Sequence, residues 1–536
     1  MRPVSQFPFT LPIRRAADLL QKRCAVLACL RSGAVFGIEA FPVHVEVDVT
    51  FGLPSFTLVG LPDPSVRESR DRVRSAIRNS GFDFPPHRIT VNLAPADVRK
   101  AGSSFDLPIA LGILAATGIV ERRRVDDIVL LGELSLDGGI QATRGVLPIA
   151  AAALKDGVNA ILLPTANALE AAVVERLGVI PVDCLADAVM ALNAPGSITR
   201  TAPASPVTSP AGPTRDFSEV RGQSLARRAL EIAAAGGHNL LLIGPPGAGK
   251  TMMARRVPGI LPPLSFEEAL ECTSIHSVCG LLPPGVGLLR ERPFRAPHHT
   301  VSDVALVGGG ALPRPGEISL AHNGVLFLDE MAEFDRRVLE VLRQPLEDGF
   351  VTIARAARTA VFPSRFMLVA AMNPCPCGFL GDETRMCRCT PPEVSRYRGR
   401  LSGPLRDRLD LIVEVPAVPA ATFGEDPQAE PSSAIRDRVL QARERQQDRC
   451  ASAGVRVNAE LQGRSVWRQC RPDMAARRLL EQAVQRLGLS ARGYDRVLKV
   501  ARTIADLAGA DSVGALHVGE ALQYRVNDDA REVVRT

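Results

Sequence analysis

The sequence predicts a mixed α/β protein whose middle region contains a parallel sheet and whose last region is helical. Three observations support this prediction. From about residue 32 to 193, short runs rich in Val, Ile and Leu alternate with helix-compatible segments. A four-residue apolar run, Leu240–Ile243, leads through a glycine-rich turn into a helix, which is typical of a buried parallel strand. From about residue 431, apolar residues recur with helical spacing.

Length and composition describe an ordinary globular protein. The chain has 536 residues, 46% of them hydrophobic and 4% aromatic, which is enough for about three domains. No apolar run approaches the ~20 residues of a membrane span, so we expect a cytoplasmic protein without a membrane partner. Residues 1–24 are a poor secretory signal and read as a basic disordered extension, or as a start codon called too early.

The first α/β domain is predicted to cover residues 25–193. Its alternating residues Val43, Val45, Val47 and Val49 indicate a half-buried strand. Further strands are expected over Ser55–Leu61, Arg88–Leu93, Val129–Leu136 and Asn159–Leu163, and helices over Pro64–Asn79, Asp106–Thr117, Leu147–Leu154 and Ala166–Leu177. Residues 194–215 are rich in Pro, Ser, Thr and Ala and are predicted to be a linker.

A nucleotide domain is predicted over 216–430 and a helical domain over 431–536. The helices of the last domain are expected at Ala434–Asp448, Asp473–Leu487, Ala491–Ala508 and Val513–Tyr524. This domain has 19 Lys and Arg against 13 Asp and Glu, so the whole formal excess of +6 lies here. The excess indicates nucleic acid binding about as well as it indicates a solvated Arg-rich surface.

The turn after Leu240–Ile243 has the pattern of a phosphate-binding loop. Its residues are Gly244, Pro245, Pro246, Gly247, Ala248, Gly249, Lys250 and Thr251. Absent side chains let backbone N–H groups wrap phosphates, Lys250 would reach the β- and γ-phosphates, and Thr251 would ligate Mg²⁺. The alternative is a chance glycine-rich turn, but the position between a strand and a helix favours a nucleotide site.

Two later runs end in polar residues that fit the same site. Gly324–Leu328 is followed by Asp329 and Glu330, which would hold Mg²⁺ through water and polarise the attacking water, respectively. This run is expected to be a strand that neighbours the phosphate-loop strand. Met367–Met372 is followed by Asn373, which either orients the same water or simply forms a turn before Pro374.

Arginines after the third strand are candidates for charge supplied in trans. Arg408 is the preferred finger for a neighbouring γ-phosphate, with Arg406 and Arg400 as rivals. Arg492 begins a predicted helix of the last domain and could fold back on the nucleotide.

Four of the eleven cysteines form two Cys-x-Cys pairs. Cys375, Cys377, Cys387 and Cys389 could place four thiolates around one Zn²⁺, although the spacing is not the common Cys-x₂-Cys. The remaining cysteines are most simply reduced core residues.

These motifs, in this order, resemble the ComM/YifB family of magnesium-chelatase-like AAA+ ATPases over roughly residues 30–525. The strings that carry the resemblance are Gly52-Leu-Pro-Ser-Phe56, Arg88-Ile-Thr-Val-Asn-Leu-Ala-Pro95, Phe105-Asp-Leu-Pro-Ile-Ala110, Pro293-Phe-Arg-Ala-Pro-His-His-Thr300, Pro315-Gly-Glu-Ile-Ser-Leu-Ala-His322 and Asn373-Pro-Cys-Pro-Cys-Gly378. The resemblance implies a Lon-protease-like N-terminal α/β domain, an AAA+ P-loop core and a C-terminal helical lid.

The resemblance also implies roles and partners. It implies an ATP- and Mg²⁺-dependent homo-hexamer that migrates branched DNA in recombination and natural transformation. Residues 244–251 correspond to Walker A, Asp329 and Glu330 to Walker B, Asn373 to sensor 1, Arg408 to the arginine finger and Arg492 to sensor 2. Arg406 stands where the family usually has Leu, which leaves the finger assignment open.

The segment Arg290–Gly310 resembles the helix-2 insertion of the family, a hairpin that points into the pore of the ring. The residues expected to contact single-stranded or branched DNA are Arg290, Arg292, Phe294, Arg295, His298 and His299. The alternative is a polar loop at a subunit interface.

Two other functions compete with a DNA motor. One is the motor subunit of a magnesium chelatase, and the other is a non-proteolytic Lon-like regulator. Peptidase activity is not expected, because Gly102-Ser-Ser-Phe-Asp106 departs from the Lon nucleophile motif and Thr143–Leu154 contains no lysine.

Overall fold

The computed structural model describes residues 27–194, 215–417 and 430–525, apart from residues 97, 101, 123–124, 126, 311, 356–357, 383–384 and 452–453. The predicted extension 1–24 and nearly all of the predicted linker 194–215 lie outside the described residues. The described residues divide into two compact units, each considered by itself. One contains the residues before 207 together with His276–Leu288, and the other contains the remainder.

A seven-stranded mixed sheet forms the centre of the first unit, in the order β3-β4-β2-β1-β5-β8-β9. The strands of this unit are β1 (Leu27–Phe36), β2 (Glu39–Thr50), β3 (Ser55–Val59), β4 (Arg88–Ala94), β5 (Ile128–Leu130), β6 (Glu133–Leu134), β7 (Ile140–Gln141), β8 (Ala160–Pro164) and β9 (Gly178–Val182). The alternating residues Val43, Val45, Val47 and Val49 of β2 all face the core, as their spacing predicts.

The helices of the first unit lie close to their predicted positions. They are α1 (Pro64–Arg67), α2 (Ser69–Asn79), α3 (Asp106–Ala116), α4 (Val146–Lys155), α5 (Ala168–Ala171) and α6 (Leu185–Asn193). Two predictions were too long. The helix expected over Ala166–Leu177 is reduced to a short 3₁₀ turn and α5. The strand expected over Val129–Leu136 is divided between β5 and β6, which pair with different strands.

A five-stranded sheet forms the centre of the second unit, and every pairing in it is parallel. The strands of this unit are β10 (Leu240–Ile243), β11 (Phe294–Arg295), β12 (Gly308–Gly309), β13 (Arg314–Pro315), β14 (Val325–Leu328), β15 (Phe350–Ala354), β16 (Thr359–Pro363), β17 (Met367–Met372) and β18 (Leu411–Glu414). The sheet order is β11-β14-β17-β10-β18. The predicted parallel sheet is confirmed.

One predicted neighbour is wrong. The strand that precedes Asp329 was expected beside the phosphate-loop strand, but β17 lies between β14 and β10 and pairs with both. Burial does not distinguish the two strands, because β14 and β17 are both buried along their whole length; the order is set by which strands pair. As a consequence, Asn373 at the end of β17 lies between the phosphate loop and Asp329.

Helices precede, connect and follow these strands. They are α7 (Ser224–Gly236), α8 (Lys250–Ala254), α9 (Val257–Ile260), α10 (Phe266–Cys279), α11 (Asp303–Val307), α12 (Glu317–Leu320), α13 (Arg336–Glu340), α14 (Arg343–Asp348), α15 (Pro391–Arg398), α16 (Gly403–Arg406), α17 (Ser432–Cys450), α18 (Arg464–Cys470), α19 (Met474–Leu487), α20 (Ala491–Leu507) and α21 (Ala515–Gln523). The predicted helical C-terminal region is confirmed, with α18 as an addition. Within the described part of the chain, no helix has both the length and the apolar character that crossing a membrane requires.

Candidate nucleotide site

The glycine-rich turn lies at the carboxyl end of β10 and leads directly into α8. Gly247 and Gly249 have φ values of 80° and 86°, a left-handed conformation that costs a residue with a side chain about 1–2 kcal/mol. Gly244 is needed for another reason, because a Cβ there would lie 2.1 Å from the carbonyl oxygen of Val415. The turn therefore presents bare backbone between a strand and a helix, which is the arrangement of a phosphate-binding loop.

Lys250 begins α8, and its ammonium group is bonded to the backbone of this turn. Its Nζ donates to the carbonyl oxygens of Gly244 at 2.6 Å and Pro245 at 2.9 Å, and to Oδ1 of Asn373 at 3.3 Å. Burial lowers the pKa of Lys250, and the negative charges of Asp329 and Glu330 act in the opposite direction. Phosphate oxygens would be stronger partners for this ammonium group than the neutral carbonyls that hold it.

Thr251 and Asp329 meet across the site. The Thr251 hydroxyl donates to Oδ2 of Asp329 at 2.7 Å, so the end of β14 lies against the start of α8. A hydroxyl and a carboxylate are the hard oxygen ligands that Mg²⁺ prefers. These two residues therefore fit a magnesium ion, which they would hold beside the phosphate loop.

Glu330 has an unusual backbone conformation beside Asp329. Its φ is 50°, which is rare for a residue with a side chain and is characteristic of functional sites. Its side chain is 58% exposed, and its Oε2 lies 3.9 Å from Nδ1 of His299. The carboxylate is thus available to water and has a histidine next to it.

The predicted DNA segment has a different environment from the one expected. Phe294 and Arg295 form β11, an edge strand of the sheet, and Phe294 packs on Phe327 with ring centroids 6.0 Å apart. Arg295 makes a two-bond ion pair with Glu317, at 2.6 and 2.7 Å.

Arg292 also has hydrogen-bond partners within the chain. It donates to the backbone carbonyl oxygens of Pro262 and Asn323, both at 2.6 Å, and to Glu268 at 2.9 Å. Arg292 and Arg295 thus have partners within the chain and Phe294 packs on Phe327, whereas Arg290 and His298 are exposed. Contact of Arg292, Phe294 and Arg295 with DNA stays a prediction.

The histidines and Arg290 of the same segment are less enclosed. Arg290 and His298 are exposed, and the rings of His298 and His299 lie 4.1 Å apart. His299 faces Glu330, a role that its sequence position did not indicate. Contact of Arg290 and His298 with DNA stays a prediction.

Arg408 lies near the amino ends of the parallel strands, which we call the amino edge of the sheet; the phosphate loop lies at their carboxyl ends, the carboxyl edge. It follows α16 and precedes β18, and the backbone carbonyl of Arg408 accepts a bond from Asn239, which precedes β10. Its guanidinium donates to the Pro404 carbonyl at 2.6 Å and pairs with Glu347. Strands of four to six residues span about 13–20 Å, so Arg408 is far from the phosphate loop of its own chain.

Arg492 lines a cavity of about 730 Å³ at this same amino edge, together with Arg408, Asn239, Met367 and Asp410. The structure does not bring Arg492 onto the phosphate loop of its own chain.

Arg400, the other candidate for the arginine finger, lies elsewhere. Its guanidinium donates to the Ala332 carbonyl at 2.7 Å and to the Glu333 carboxylate at 2.8 Å, just after Walker B.

Arg496 is a residue of this edge that the sequence reasoning missed. It lies one helical turn after Arg492 and lines the same cavity. Its guanidinium lies 3.6 Å from Asp410 and 3.9 Å from Asp407. The i, i+4 spacing of two arginines on α20 was the available signal.

The four cysteines come together beyond the end of β17. The sulfur of Cys375 lies 3.4 Å from that of Cys377 and 3.7 Å from that of Cys387, and the sulfurs of Cys377 and Cys387 are 3.6 Å apart. All four sulfurs, including that of Cys389, lie within 4.8 Å of one another.

The motif compared with the Lon nucleophile lies in the first unit. The Ser103 hydroxyl donates to the carboxylate of Glu133. Lys100 is buried and donates to the carbonyl of Pro95, and Lys155 is at the end of α4. The absence of peptidase activity stays a prediction.

Comparison with known proteins follows this organisation. Residues 45–167 match the family described as "Subunit ChlI of Mg-chelatase", residues 216–423 match "Magnesium chelatase, subunit ChlI", and residues 429–525 match "Magnesium chelatase, subunit ChlI C-terminal".

Similar whole proteins extend the comparison to nearly the full chain. The YifB protein of Salmonella typhimurium is 45% identical over 504 residues, which is 94% of this chain and 97% of YifB. Competence protein ComM of Haemophilus influenzae is 45% identical over 506 residues, 93% of this chain and 97% of ComM. A Lon protease of Chloroflexus aurantiacus is 31% identical over 188 residues, 32% of this chain and 22% of that protease.

The matches confirm the fold class predicted from the sequence, with its Lon-like, AAA+ and helical parts. They also confirm the resemblance on which that prediction depended. The chain belongs to the ComM/YifB family of magnesium-chelatase-like AAA+ proteins.

Proposed function

We propose that the chain is an ATP-hydrolysing, ring-forming motor that moves branched DNA, specifically a branch-migration helicase acting on recombination intermediates. The observation that carries the proposal is the division of the site residues between two edges of one sheet. The phosphate loop and Asp329 are at the carboxyl edge, whereas Arg408 and Arg492 are at the amino edge. A chain with this arrangement needs a neighbour to complete its site.

The division favours a closed ring. If the amino edge of one chain faces the carboxyl edge of the next, every contact is head-to-tail, and such contacts form a ring when the rotation from one chain to the next closes. We propose a homo-hexamer, the assembly that the family resemblance implies, with one ATP site at each interface. ATP would favour assembly because its γ-phosphate attracts Arg408 of the neighbour.

Each residue of the site has a defined part in hydrolysis. Bound ATP·Mg²⁺ supplies the phosphoanhydride bond and the divalent charge on its phosphates. Lys250 would exchange its carbonyl partners for phosphate oxygens, and Thr251 and Asp329 would hold the metal. Glu330 polarises the attacking water, and Asn373 orients that water from the central strand. Arg408 of the neighbouring chain stabilises the charge that develops on the γ-phosphate.

DNA is the proposed substrate of the motor. The formal positive excess lies entirely in residues 431–536, and a basic domain suits a phosphate backbone. The Haemophilus influenzae relative is named a competence protein, and we propose a role in natural transformation for this chain. Arg290 and His298 remain its proposed DNA contacts, in the cytoplasm, where the substrate and ATP are both present.

Two alternatives remain testable. The chelatase matches favour the motor subunit of a magnesium chelatase, which would insert Mg²⁺ into a porphyrin. A Lon-like regulator that does not cleave peptides is favoured by the Lon match. Against the chelatase stands the similarity of nearly the whole chain to the YifB and ComM proteins.

Hydrolysis with and without DNA separates these functions. ATPase rates are measured alone, with single-stranded DNA and with a four-way junction, and junction migration is followed in parallel. The proposal predicts stimulation by DNA and ATP-dependent migration, both lost in Glu330→Gln. An ATPase that ignores DNA and leaves the junction intact would contradict it. Stimulation by chelatase partner subunits and a porphyrin instead would identify the first alternative.

A further inference from the structure

The four-cysteine cluster is built from two chain segments that the fold fixes separately. Cys375 and Cys377 directly follow β17 and Asn373, and Cys375 is fully buried. Cys387 and Cys389 directly precede α15, whose first turn is closed by a capping box between Thr390 and Glu393. The two segments are also tied together, because Arg398 of α15 donates to the carbonyl of Pro374 at 3.3 Å.

We propose that this cluster binds one structural zinc ion and that the ion braces the wall of the nucleotide site. Tetrahedral Zn²⁺ with Zn–S bonds of about 2.3 Å requires sulfurs about 3.8 Å apart. Three of the observed separations are 3.4, 3.6 and 3.7 Å, close to that value. A disulfide would require about 2.0 Å. The sulfurs therefore have the spacing of ligands around a shared ion.

The backbone around the cluster supports the same reading. The N–H of Cys377 points to the sulfur of Cys389 at 3.4 Å. Such bonds from the chain fix the direction of a thiolate and neutralise part of its charge, as outer-shell bonds do in metal sites. Four soft sulfur ligands in a tetrahedron select Zn²⁺ or iron over Mg²⁺.

The cluster adjoins the phosphate loop. Gly378, next to Cys377, has a φ of 84°, and a Cβ there would lie 2.7 Å from Cδ of Pro246 and 3.9 Å from Cγ of Asn373. The loop held by the cysteines thus packs on Walker A and beside the amide that bonds Lys250. Because the metal would fix both ends of this loop, its loss would loosen one wall of the ATP site.

Metal content and ATP affinity test the proposal on the full-length chain. Elemental analysis is expected to find about one zinc per chain. Cys389→Ser should lose this zinc and weaken binding of a fluorescent ATP analogue by about tenfold, which corresponds to about 1.4 kcal/mol of binding free energy. Cys389→His should retain both, because imidazole replaces thiolate in zinc sites of the Cys₃His type. Cys29→Ser, in the first unit, is the matched control and should change neither.

Substitution of Co²⁺ for the metal in the wild-type chain provides a readout that does not depend on how well a variant folds. Four sulfur ligands should give the intense visible bands of tetrahedral Co²⁺. The proposed zinc site would be overturned by any of three results. These are a wild-type chain without metal, a wild-type chain that holds iron in place of zinc, and a Cys389→Ser variant that retains zinc. Zinc loss without a change in ATP affinity would overturn the bracing role. Both readouts omit DNA, so their failure is distinguishable from failure of the proposed motor.

Discussion

Replacement of Gly378 by alanine tests the contact between the cysteine loop and the phosphate loop. The new Cβ would lie 2.7 Å from Pro246, whereas contacts shorter than 3.4 Å are uncommon. One of the two loops must therefore move by about 0.7 Å, the difference between these distances. Such overpacking costs about 1–3 kcal/mol, and 1.4 kcal/mol corresponds to about tenfold in an equilibrium constant.

The chain provides a matched control in Gly381. Its φ is 82°, nearly that of Gly378, but a Cβ there meets nothing within 4 Å. Gly381→Ala therefore introduces the same backbone strain, about 1–2 kcal/mol, without the contact with Pro246. The difference between the two variants isolates that contact.

Equilibrium binding of a fluorescent ATP analogue is the assay, with thermal unfolding measured on the same samples. Gly378→Ala should weaken binding about tenfold, while Gly381→Ala should bind like the wild type and lower only the melting temperature. Equal affinities of the two variants would refute the argument that the cysteine loop supports the phosphate loop.

Three further predictions concern the site and the first unit. Lys250→Ala should abolish measurable ATP binding, because it removes the charge that faces the phosphates; a binding titration checks this. Arg408→Ala should bind ATP normally but lose about 10³-fold or more in hydrolysis, and normal turnover would place the finger elsewhere. Arg72→Met should destabilise the first unit by about 3–5 kcal/mol, because buried Asp106 loses its ion-pair partner at 2.6 Å. The exposed Arg70→Met serves as its control, within about 0.5 kcal/mol of wild type by denaturant unfolding.

Local patterns were sufficient for much of the nucleotide site. β10, the glycine turn and α8 are contiguous in sequence, so strand, turn and helix could be read directly. Asp329, Glu330 and Asn373 follow apolar strands, and parallel strands bring such ends to one edge. The order of those strands could not be read, because the position of β17 between β14 and β10 depends on long-range pairing.

Arginine roles could not be predicted from composition. Arg292 and Arg295 were predicted only as DNA contacts, and their ion pairs with Glu268 and Glu317, 24 and 22 residues away along the chain, were not predicted. No local pattern reports such pairs. The position of Arg492 likewise depends on how α20 packs, which helical periodicity does not determine. The clustering of Cys375, Cys377, Cys387 and Cys389 could be predicted, because the two Cys-x-Cys pairs are close together in the sequence.

The central claim, that each ATP site is shared between two chains, is tested most directly by mixing two inactive variants. Lys250→Ala retains Arg408 but has no working phosphate loop, and Arg408→Ala has the reverse defect. In rings mixed at equal amounts, about a quarter of the interfaces would pair an intact loop with an intact arginine. The account predicts that mixing restores ATPase to about a quarter of the wild-type rate per chain. ATPase that stays at the level of the separate variants, in rings shown to contain both, would contradict it.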